Sequence, residues 1–228
     1  MMPQKTLMIA IFSGCVFALC GAELYEAAFK AGQEAEKRNN FPLAIEAYQE
    51  AAGLTGTNTR LKAGFLCRLA ECYRKNKQWD KAIPVYRQVL EISDAAVEEK
   101  GLSYLQIGNR LLAQSKYPEA MQEFEKIVLM PKGVLWQKNQ AQLSIGNCLR
   151  LQKKYSEAVA AYQKVLTAPN LQFSIKHEAY RLIGLCLFSD KKYSEAEAAY
   201  QKALDCKGIQ NWQKVNCQTM LQKISKLK

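Results

Sequence analysis

Two stretches of the sequence read Tyr155-Ser-Glu-Ala-Val-Ala-Ala-Tyr162 and Tyr193-Ser-Glu-Ala-Glu-Ala-Ala-Tyr200. The same pattern occurs three times earlier, in segments that begin at Phe41, Trp79 and Tyr117, always at the same interval. Five copies in one register define an internal repeat. Its period of about 38 residues is typical of proteins built from stacked supersecondary units.

Each copy predicts an amphipathic helix, helix B of its repeat. The first aromatic residue is followed three residues later by alanine, and four residues after that by a second aromatic residue. Spacings of three, four and seven place all these positions on one helix face. The two columns are Ala44, Ala82, Ala120, Ala158 and Ala196, and Tyr48, Tyr86, Phe124, Tyr162 and Tyr200.

A small residue lies nine positions before each first aromatic residue and predicts a preceding helix, helix A. Glycine inside a helix costs about 1 kcal/mol relative to alanine. Its recurrence in four of the five repeats therefore indicates that two helices approach too closely there for a side chain. This column is Gly32, Ala70, Gly108, Gly146 and Gly184.

With Ile107-Gly108, Ala120 and Phe124, and again with Ile145-Gly146, Ala158 and Tyr162, the chain resembles the tetratricopeptide repeat family. The resemblance covers roughly residues 23–228 and implies an all-α fold, a right-handed α-solenoid of five helix pairs with a C-terminal capping helix. We expect repeats at residues 23–56, 57–94, 95–132, 133–170 and 171–208, and the capping helix at 209–228.

The period differs from the ~34 residues usual in the family. The additional residues fall between helix B and the next helix A, so we expect one of the two helices to be longer than in shorter members. Pro84 lies inside the second helix B, where it removes a backbone donor and predicts a local kink.

The N-terminus predicts export. Lys5 is followed by the uncharged run of residues 6–22, which is typical of a secretory signal peptide cleaved after Ala22. The alternative is a lipid anchor on Cys15, because Phe12-Ser-Gly-Cys15 resembles a bacterial lipobox. We therefore expect a periplasmic or secreted protein, with attachment to the envelope, and peripheral membrane association, if Cys15 is lipidated.

The composition favours an acidic partner. Lys and Arg outnumber Asp and Glu by 32 to 21, which gives a formal net charge of +11. A solvated, Lys-rich surface accounts for this charge equally well. Because export removes a protein from most nucleic acid, we expect a protein or peptide partner of acidic character and no nucleic acid.

Nothing in the sequence indicates catalysis, a cofactor or a metal site. His177, the single histidine, falls at the start of the fifth helix A and is expected on the surface, and no cysteine pair has the spacing of a zinc or redox motif. Cys72, Cys148 and Cys186 share one repeat position and are expected to be buried as small apolar residues. Cys206 and Cys217 flank the last turn and could form a disulfide.

The resemblance implies that the inner face of helix A lines a groove for an extended peptide or a partner helix. The positions that match the family's groove are Arg74, Leu105, Asn109, Leu112, Leu143, Asn147, Arg150, Arg181, Leu185 and Phe188. Asn109 and Asn147 match an asparagine that clamps a carboxylate terminus in some members, but Leu105 and Leu143 replace the lysine expected beside it. These leucines could instead pack against neighbouring helices.

We therefore expect a non-catalytic scaffold for protein interactions, with cell-envelope assembly or coordination as its setting. The alternative is a binding or sensor module that holds a small anionic ligand or a glycan in the basic groove.

Overall fold

The computed structural model describes residues 14–227, with side chains from residue 23 onward. Every regular element in this part of the chain is an α-helix. The helices are α1 Gly14–Lys37, α2 Phe41–Gly53, α3 Thr59–Lys75, α4 Trp79–Glu91, α5 Val97–Ala113, α6 Tyr117–Leu129, α7 Leu135–Leu151, α8 Tyr155–Leu166, α9 Phe173–Ser189, α10 Tyr193–Leu204 and α11 Asn211–Ser225.

The predicted signal peptide falls largely outside this description. Residues 1–13 are not described, and residues 14–22 contribute only backbone to α1. The prediction of export and the lipidation alternative at Cys15 therefore stay predictions. None of the helices in the described residues is both long and apolar enough to cross a membrane.

The chain divides into two compact units, Met1–Glu99 and Lys100–Lys228. In the described part of the first unit, α1 packs on α2, α2 on α3 and α3 on α4. In the second unit, α6 packs on α7, and each later helix packs on the one before it up to α11. The odd-numbered helices from α1 to α9 are the A helices of the repeats, and the even-numbered helices are the B helices. The last helix, α11, occupies the place of the capping helix.

Helix A carries the additional length of the long repeat. The helices α3, α5, α7 and α9 have 17 residues each, whereas the B helices have 12 or 13. The predicted longer helix is thus confirmed. Helix α4 continues through Pro84, although the proline removes one backbone hydrogen-bond donor. The local kink at Pro84 stays a prediction.

The repeat columns of helix B form the core between paired helices. All five column alanines are fully buried, and the five aromatic residues four positions further on are at most 1% exposed. Burying one such ring stabilises the fold by about 1.5–3 kcal/mol relative to leaving it in water. Their regular recurrence gives each helix pair the same internal packing.

The glycine column lies against these rings, as the sequence predicts. A Cβ atom placed on Gly146 would stand 2.4 Å from the Tyr162 ring, and one on Gly108 would stand 2.6 Å from Phe124. Real Cβ atoms do not come this close, so the ring occupies the space where a side chain would be. Ala70 fills the same position in the first unit and is fully buried there.

The turns from helix A to helix B share one conformation. In each turn a residue adopts a positive φ near 60°, and the next residue donates its N–H to a carbonyl five positions earlier, as in a Schellman motif. None of these residues is glycine. They are Asn39, Lys77, Ser115, Lys153 and Lys191, which occupy the same position in successive repeats.

The glycine–ring contact gives a direct test of the packing. Replacing Gly146 with leucine introduces a good helix former but forces it into Tyr162, so we expect a loss of at least about 2 kcal/mol. Gly53→Leu is the control, because a Cβ at Gly53 meets nothing within 4 Å. Denaturant unfolding measures both variants, and an equal effect of the two substitutions would contradict the packing described here.

Candidate partner-binding site

The predicted groove residues occupy three columns on helix A, which are separated by four and three residues and therefore share one face. In the second unit this face belongs to α5, α7 and α9. The first column holds Leu105, Leu143 and Arg181. The second holds Asn109, Asn147 and Leu185, and the third holds Leu112, Arg150 and Phe188. Arg74 occupies the third column in the first unit.

The structure corrects two members of this set. Leu105 and Leu143 are each only 4% exposed and belong to the hydrophobic core that also contains Phe124 and Tyr162. Neither side chain can contact a partner while the fold persists. The reason is that two apolar side chains in the first column gain more from packing between helices than from lining a surface.

The other predicted residues of the second unit are half-buried. This holds for the side chains of Asn109, Leu112, Asn147, Arg150, Arg181, Leu185 and Phe188. Phe188 packs against Tyr193 in a tilted arrangement, with ring centroids 5.6 Å apart. The Lys223 Nζ of α11 lies 5.2 Å above the Phe188 ring. The accessible part of this face is therefore mixed, with polar groups on α7 and apolar groups towards the end of α9.

Two of the three predicted groove arginines are neutralised by a glutamate of their own helix. Arg74 donates from Nε and Nη2 to the Glu71 carboxylate, with a shortest distance of 2.8 Å. Arg181 donates in the same way to Glu178, at 2.7 and 2.6 Å. In both cases the glutamate precedes the arginine by three residues, which places the pair on one face. Neither guanidinium carries an unbalanced charge.

Arg150 differs because Asn147 stands where the other two arginines have a glutamate. The Asn147 Oδ1 accepts a hydrogen bond from the Tyr162 hydroxyl at 2.9 Å. The Arg150 Nε is buried and has no hydrogen-bond partner among the described residues. Burial raises the pKa of the Tyr162 hydroxyl, and the nearby Arg150 charge opposes this rise. Arg150 is thus a partly buried cation with an unused donor.

A second polar cleft lies in the first unit, on the faces of α1 and α3. It has a volume of about 420 Å³ and is lined by Gln33, Glu36, Lys37, Arg68 and Lys75. The sequence reasoning missed it, although Gln33 and Glu36 continue the second and third helix A columns one repeat towards the N-terminus. Extending the helix A columns by one repeat towards the N-terminus would have predicted this cleft.

Glu36 organises this cleft. Its carboxylate accepts hydrogen bonds from Lys75 at 2.5 Å and from the Tyr48 hydroxyl at 3.0 Å. Burial opposes ionisation, but the hydrogen bond and charge of Lys75 hold the pKa of Glu36 below its usual value. The cleft therefore presents an ionised carboxylate beside the cations of Lys37 and Arg68.

His177 is buried, which corrects the expectation that it lies on the surface. Its side chain is fully buried and its Nδ1 lies 2.9 Å from the Ala203 carbonyl oxygen. The repeat explains this position, because Asn139, Gly101 and Ala63 stand one, two and three periods earlier and are buried too. In these four repeats the residue at this position is buried although its type differs.

The six cysteines whose side chains the structure describes are buried thiols. Cys72, Cys148 and Cys186 are fully buried, which confirms the expectation for this repeat position. Cys206 and Cys217 are both buried free cysteines. Burial raises the pKa of the Cys217 thiol, and the nearby Cys206 adds to this rise. The disulfide between them stays a prediction. The described residues contain no group of three or more His, Cys, Asp or Glu side chains that could hold a metal ion.

The helix pairs, their glycine–aromatic columns and their αL turns define a helical repeat protein. A family model described as tetratricopeptide repeat matches residues 29–97, 105–173 and 171–208. The chain belongs to the tetratricopeptide repeat family, and the predicted all-α fold class is confirmed.

Solved structures with the same fold include proteins of several kinds. PilF of Pseudomonas aeruginosa is 17% identical, with a TM-score of 0.64, and the match covers 90% of each chain. MamA from Desulfovibrio magneticus RS-1 is 15% identical with a TM-score of 0.64, covering 84% of this chain and 97% of that one.

YrrB, described as a protein with an unusual peptide-binding site, is 15% identical with a TM-score of 0.60, covering 89% of this chain and 97% of that one. At these identities the likeness establishes the fold alone. No curated protein sequence matches the chain.

The thiols give a testable consequence of burial. Burial raises the pKa of Cys67 and Cys72 to about 12, and that of Cys148 and Cys186 to about 11. Because the thiolate is the reactive form, the folded protein at about pH 8 should react with Ellman's reagent at least tenfold more slowly than the unfolded chain. Rapid reaction of these four thiols in the folded protein would contradict their burial.

The same assay tests the predicted disulfide. If Cys206 and Cys217 are oxidised, the unfolded chain gains two thiols on reduction, whereas equal counts before and after reduction show that the pair is free.

Proposed function

We propose that this protein is a non-catalytic scaffold that binds a peptide or a partner helix on the helix A face of its second unit. The observation that carries the proposal is Arg150, a half-buried cation on a helix that has no carboxylate of its own, set beside the amide of Asn147. A partner that brings a carboxylate here completes the interaction that Glu71 and Glu178 supply to the other two arginines. The acidic partner inferred from the net charge thus gains a specific contact.

The apolar side chains nearby supply the rest of the contact. Leu112 and Phe188 occupy the same column as Arg150, one repeat before and one repeat after it, and each is half-buried. A segment that places apolar residues on both sides of an acidic residue matches this order. Grooves of this kind take extended peptides or amphipathic helices, with apolar anchors for affinity and polar groups for register.

Export is part of the proposal. The run of residues 6–22 supports a periplasmic or secreted location, with lipid attachment at Cys15 as the alternative, and cell-envelope assembly as the setting.

The alternative function, binding of a small anionic ligand or a glycan, is favoured by one observation in the first unit. The cleft of about 420 Å³ between Glu36, Lys37 and Arg68 has the size of a small-molecule pocket. In that case Arg68→Gln should abolish binding of the ligand and leave peptide binding to the second unit unchanged. Isothermal titration with a panel of anionic sugars separates the two functions.

Arg150 provides the test of the scaffold function. Random peptides displayed on phage and selected on the wild-type protein should be enriched in Asp or Glu flanked by apolar residues. Arg150→Gln should then weaken the selected peptides by about 1.5–3 kcal/mol, roughly tenfold to a hundredfold, because a hydrogen bond to a charged group is lost.

Lys153→Gln is the matched control, since it removes the same charge from an exposed turn residue three positions away. Affinity is measured by fluorescence anisotropy, with circular dichroism to confirm that both variants fold. Selected peptides without acidic residues, or equal affinities for the two variants, would refute the proposed site.

A further inference from the structure

The turns that lead from helix B to the next helix A are strongly basic in the second unit. Three segments, residues 126–138, 164–176 and 202–214, contain these turns and the adjoining ends of the helices. Together they hold eight lysines and a single acidic residue, Asp205. We call them the lysine edge. The lysines are Lys126, Lys132, Lys138, Lys164, Lys176, Lys202, Lys207 and Lys214.

These segments lie along one edge of the second unit because its helices alternate in direction. The start of α9 meets the end of α10, where His177 Nδ1 lies 2.9 Å from the Ala203 carbonyl oxygen. At the opposite ends, Gln152 just after α7 reaches Met121 near the start of α6. The ends of the B helices and the starts of the A helices are therefore neighbours throughout the unit.

The excess of lysine is larger at this edge than at the other turns, although one of its lysine columns continues into the earlier repeats as Lys62 and Lys100. The opposite edge of the same unit, formed by residues 110–120, 148–158 and 186–196, holds seven basic residues but also four acidic ones. The equivalent segment one period earlier, residues 88–100, holds four acidic residues and one lysine. The helical repeat thus accepts turns of either sign.

Three of the lysines stand where a helix disfavours them. Lys138, Lys176 and Lys214 are the fourth residues of α7, α9 and α11, and none of these helices has an acidic residue in its first turn. The positive end of the helix dipole repels a cation at this position. The helices α6, α8 and α10 instead carry an acidic residue in their first turn, as the dipole favours. Helix stability therefore does not account for these lysines.

Large apolar side chains project from the same edge. Leu129 is 79% exposed, Trp212 66%, Phe173 57% and Trp136 47%. Leu135 and Val215 are exposed near the starts of α7 and α11. Among the exposed large apolar residues of the described second unit, only Leu151 and Leu227 lie elsewhere. Each of these turns thus exposes both lysines and large apolar side chains.

One cavity opens at this edge. It has a volume of about 310 Å³ and is lined by Phe173, Lys176 and Tyr180 of α9 and by Lys202, Asp205, Cys206 and Lys207 at the end of α10. Three lysines outnumber the single aspartate there, and the Lys202 Nζ lies 5.9 Å above the Tyr180 ring. The cavity has room for one phosphate-bearing head group.

We propose that the lysine edge docks the second unit on a bilayer surface that contains anionic lipids. Trp, Phe and Leu side chains enter the interfacial region, where an aromatic ring is stabilised between water and acyl chains. The lysines other than Lys126, which is paired with Glu123, face the phosphates and extend their aliphatic stems along the apolar surface. This surface is separate from the helix A face that carries Arg150.

Two features favour a lipid surface over the other polyanions. All eight cations are lysines, whereas recognition of nucleic acid or of carboxylates uses the planar arginine fork extensively. The apolar side chains stand singly on successive turns at high exposure, which suits insertion into a continuous interface. A protein partner would instead favour aromatic and apolar side chains clustered at the centre of one patch.

Vesicle binding by the full chain tests this proposal. The protein is mixed with vesicles of phosphatidylcholine, with or without phosphatidylglycerol, and bound protein is measured by flotation. We expect binding to the anionic vesicles to weaken with salt. The triple variant Lys132→Gln, Lys176→Gln, Lys207→Gln should bind them at least about tenfold more weakly than the wild type.

The matched control is Lys153→Gln, Lys154→Gln, Lys191→Gln, which removes the same charge from the opposite edge and should bind within about twofold of the wild type. Residues 1–22 are present in every variant, so any membrane affinity of that segment cancels in the comparison. A second pair separates the apolar contribution. Phe173→Ser with Trp212→Ser should lose affinity, and Leu151→Ser with Leu227→Ser should not.

Equal binding of the two lysine variants to anionic vesicles would overturn the proposal. So would an edge variant that loses binding to a single-stranded oligonucleotide or to polyglutamate while its vesicle binding is unchanged. Circular dichroism and thermal unfolding of each variant show whether a loss reflects the surface or the fold.

Discussion

The contact between a helix A glycine and a helix B aromatic ring is the constraint on which the rest of the structure depends. The ring of Tyr162 occupies the place where a side chain on Gly146 would stand, so the two helices can approach closely. The same contact recurs from repeat to repeat and sets which face of each helix points inward. Once that face is fixed, the third-column residues and the turn residues are assigned to surfaces. The positions of Arg150 and of the lysines follow from this geometry.

The periodicity was sufficient to predict the helices, their pairing and the buried columns, because these depend on residues that repeat within one chain. Exposure at individual positions was harder to predict. Leu105 and Leu143 occupy a column that faces a groove in the family, yet both are buried, because a branched apolar side chain there folds inward against the core. Arg181 stands in the same column and is half-buried, since its charged group must reach solvent or Glu178. The column of a residue therefore predicts which way its side chain points, and the chemistry of the side chain decides how deeply it is buried.

The neutralised arginines illustrate what the sequence contained but did not make evident. The spacing of Glu71 to Arg74 and of Glu178 to Arg181 is visible in the sequence, and it predicts ion pairs on one helix face. Only the structure shows that both pairs form and that Arg150 retains a buried donor without a partner. Of the three predicted groove arginines, only Arg150 therefore keeps a charge that no carboxylate of its own helix balances. Specificity at a single guanidinium differs physically from attraction by a diffuse positive field, which salt screens more strongly.

The contrast between the core columns and the turns indicates where the repeats are free to differ. Alanine or an aromatic residue is required at the packed positions, and their substitution would disturb a helix pair. The turns after helix B carry no such requirement, and they change from acidic in residues 88–100 to basic in residues 126–138. Lys138, Lys176 and Lys214 lie at helix starts, where the dipole works against them. Lys62 and Lys100 occupy the same position in α3 and α5, so this column belongs to the repeat, and the turns of the second unit become basic through the further lysines that accompany it.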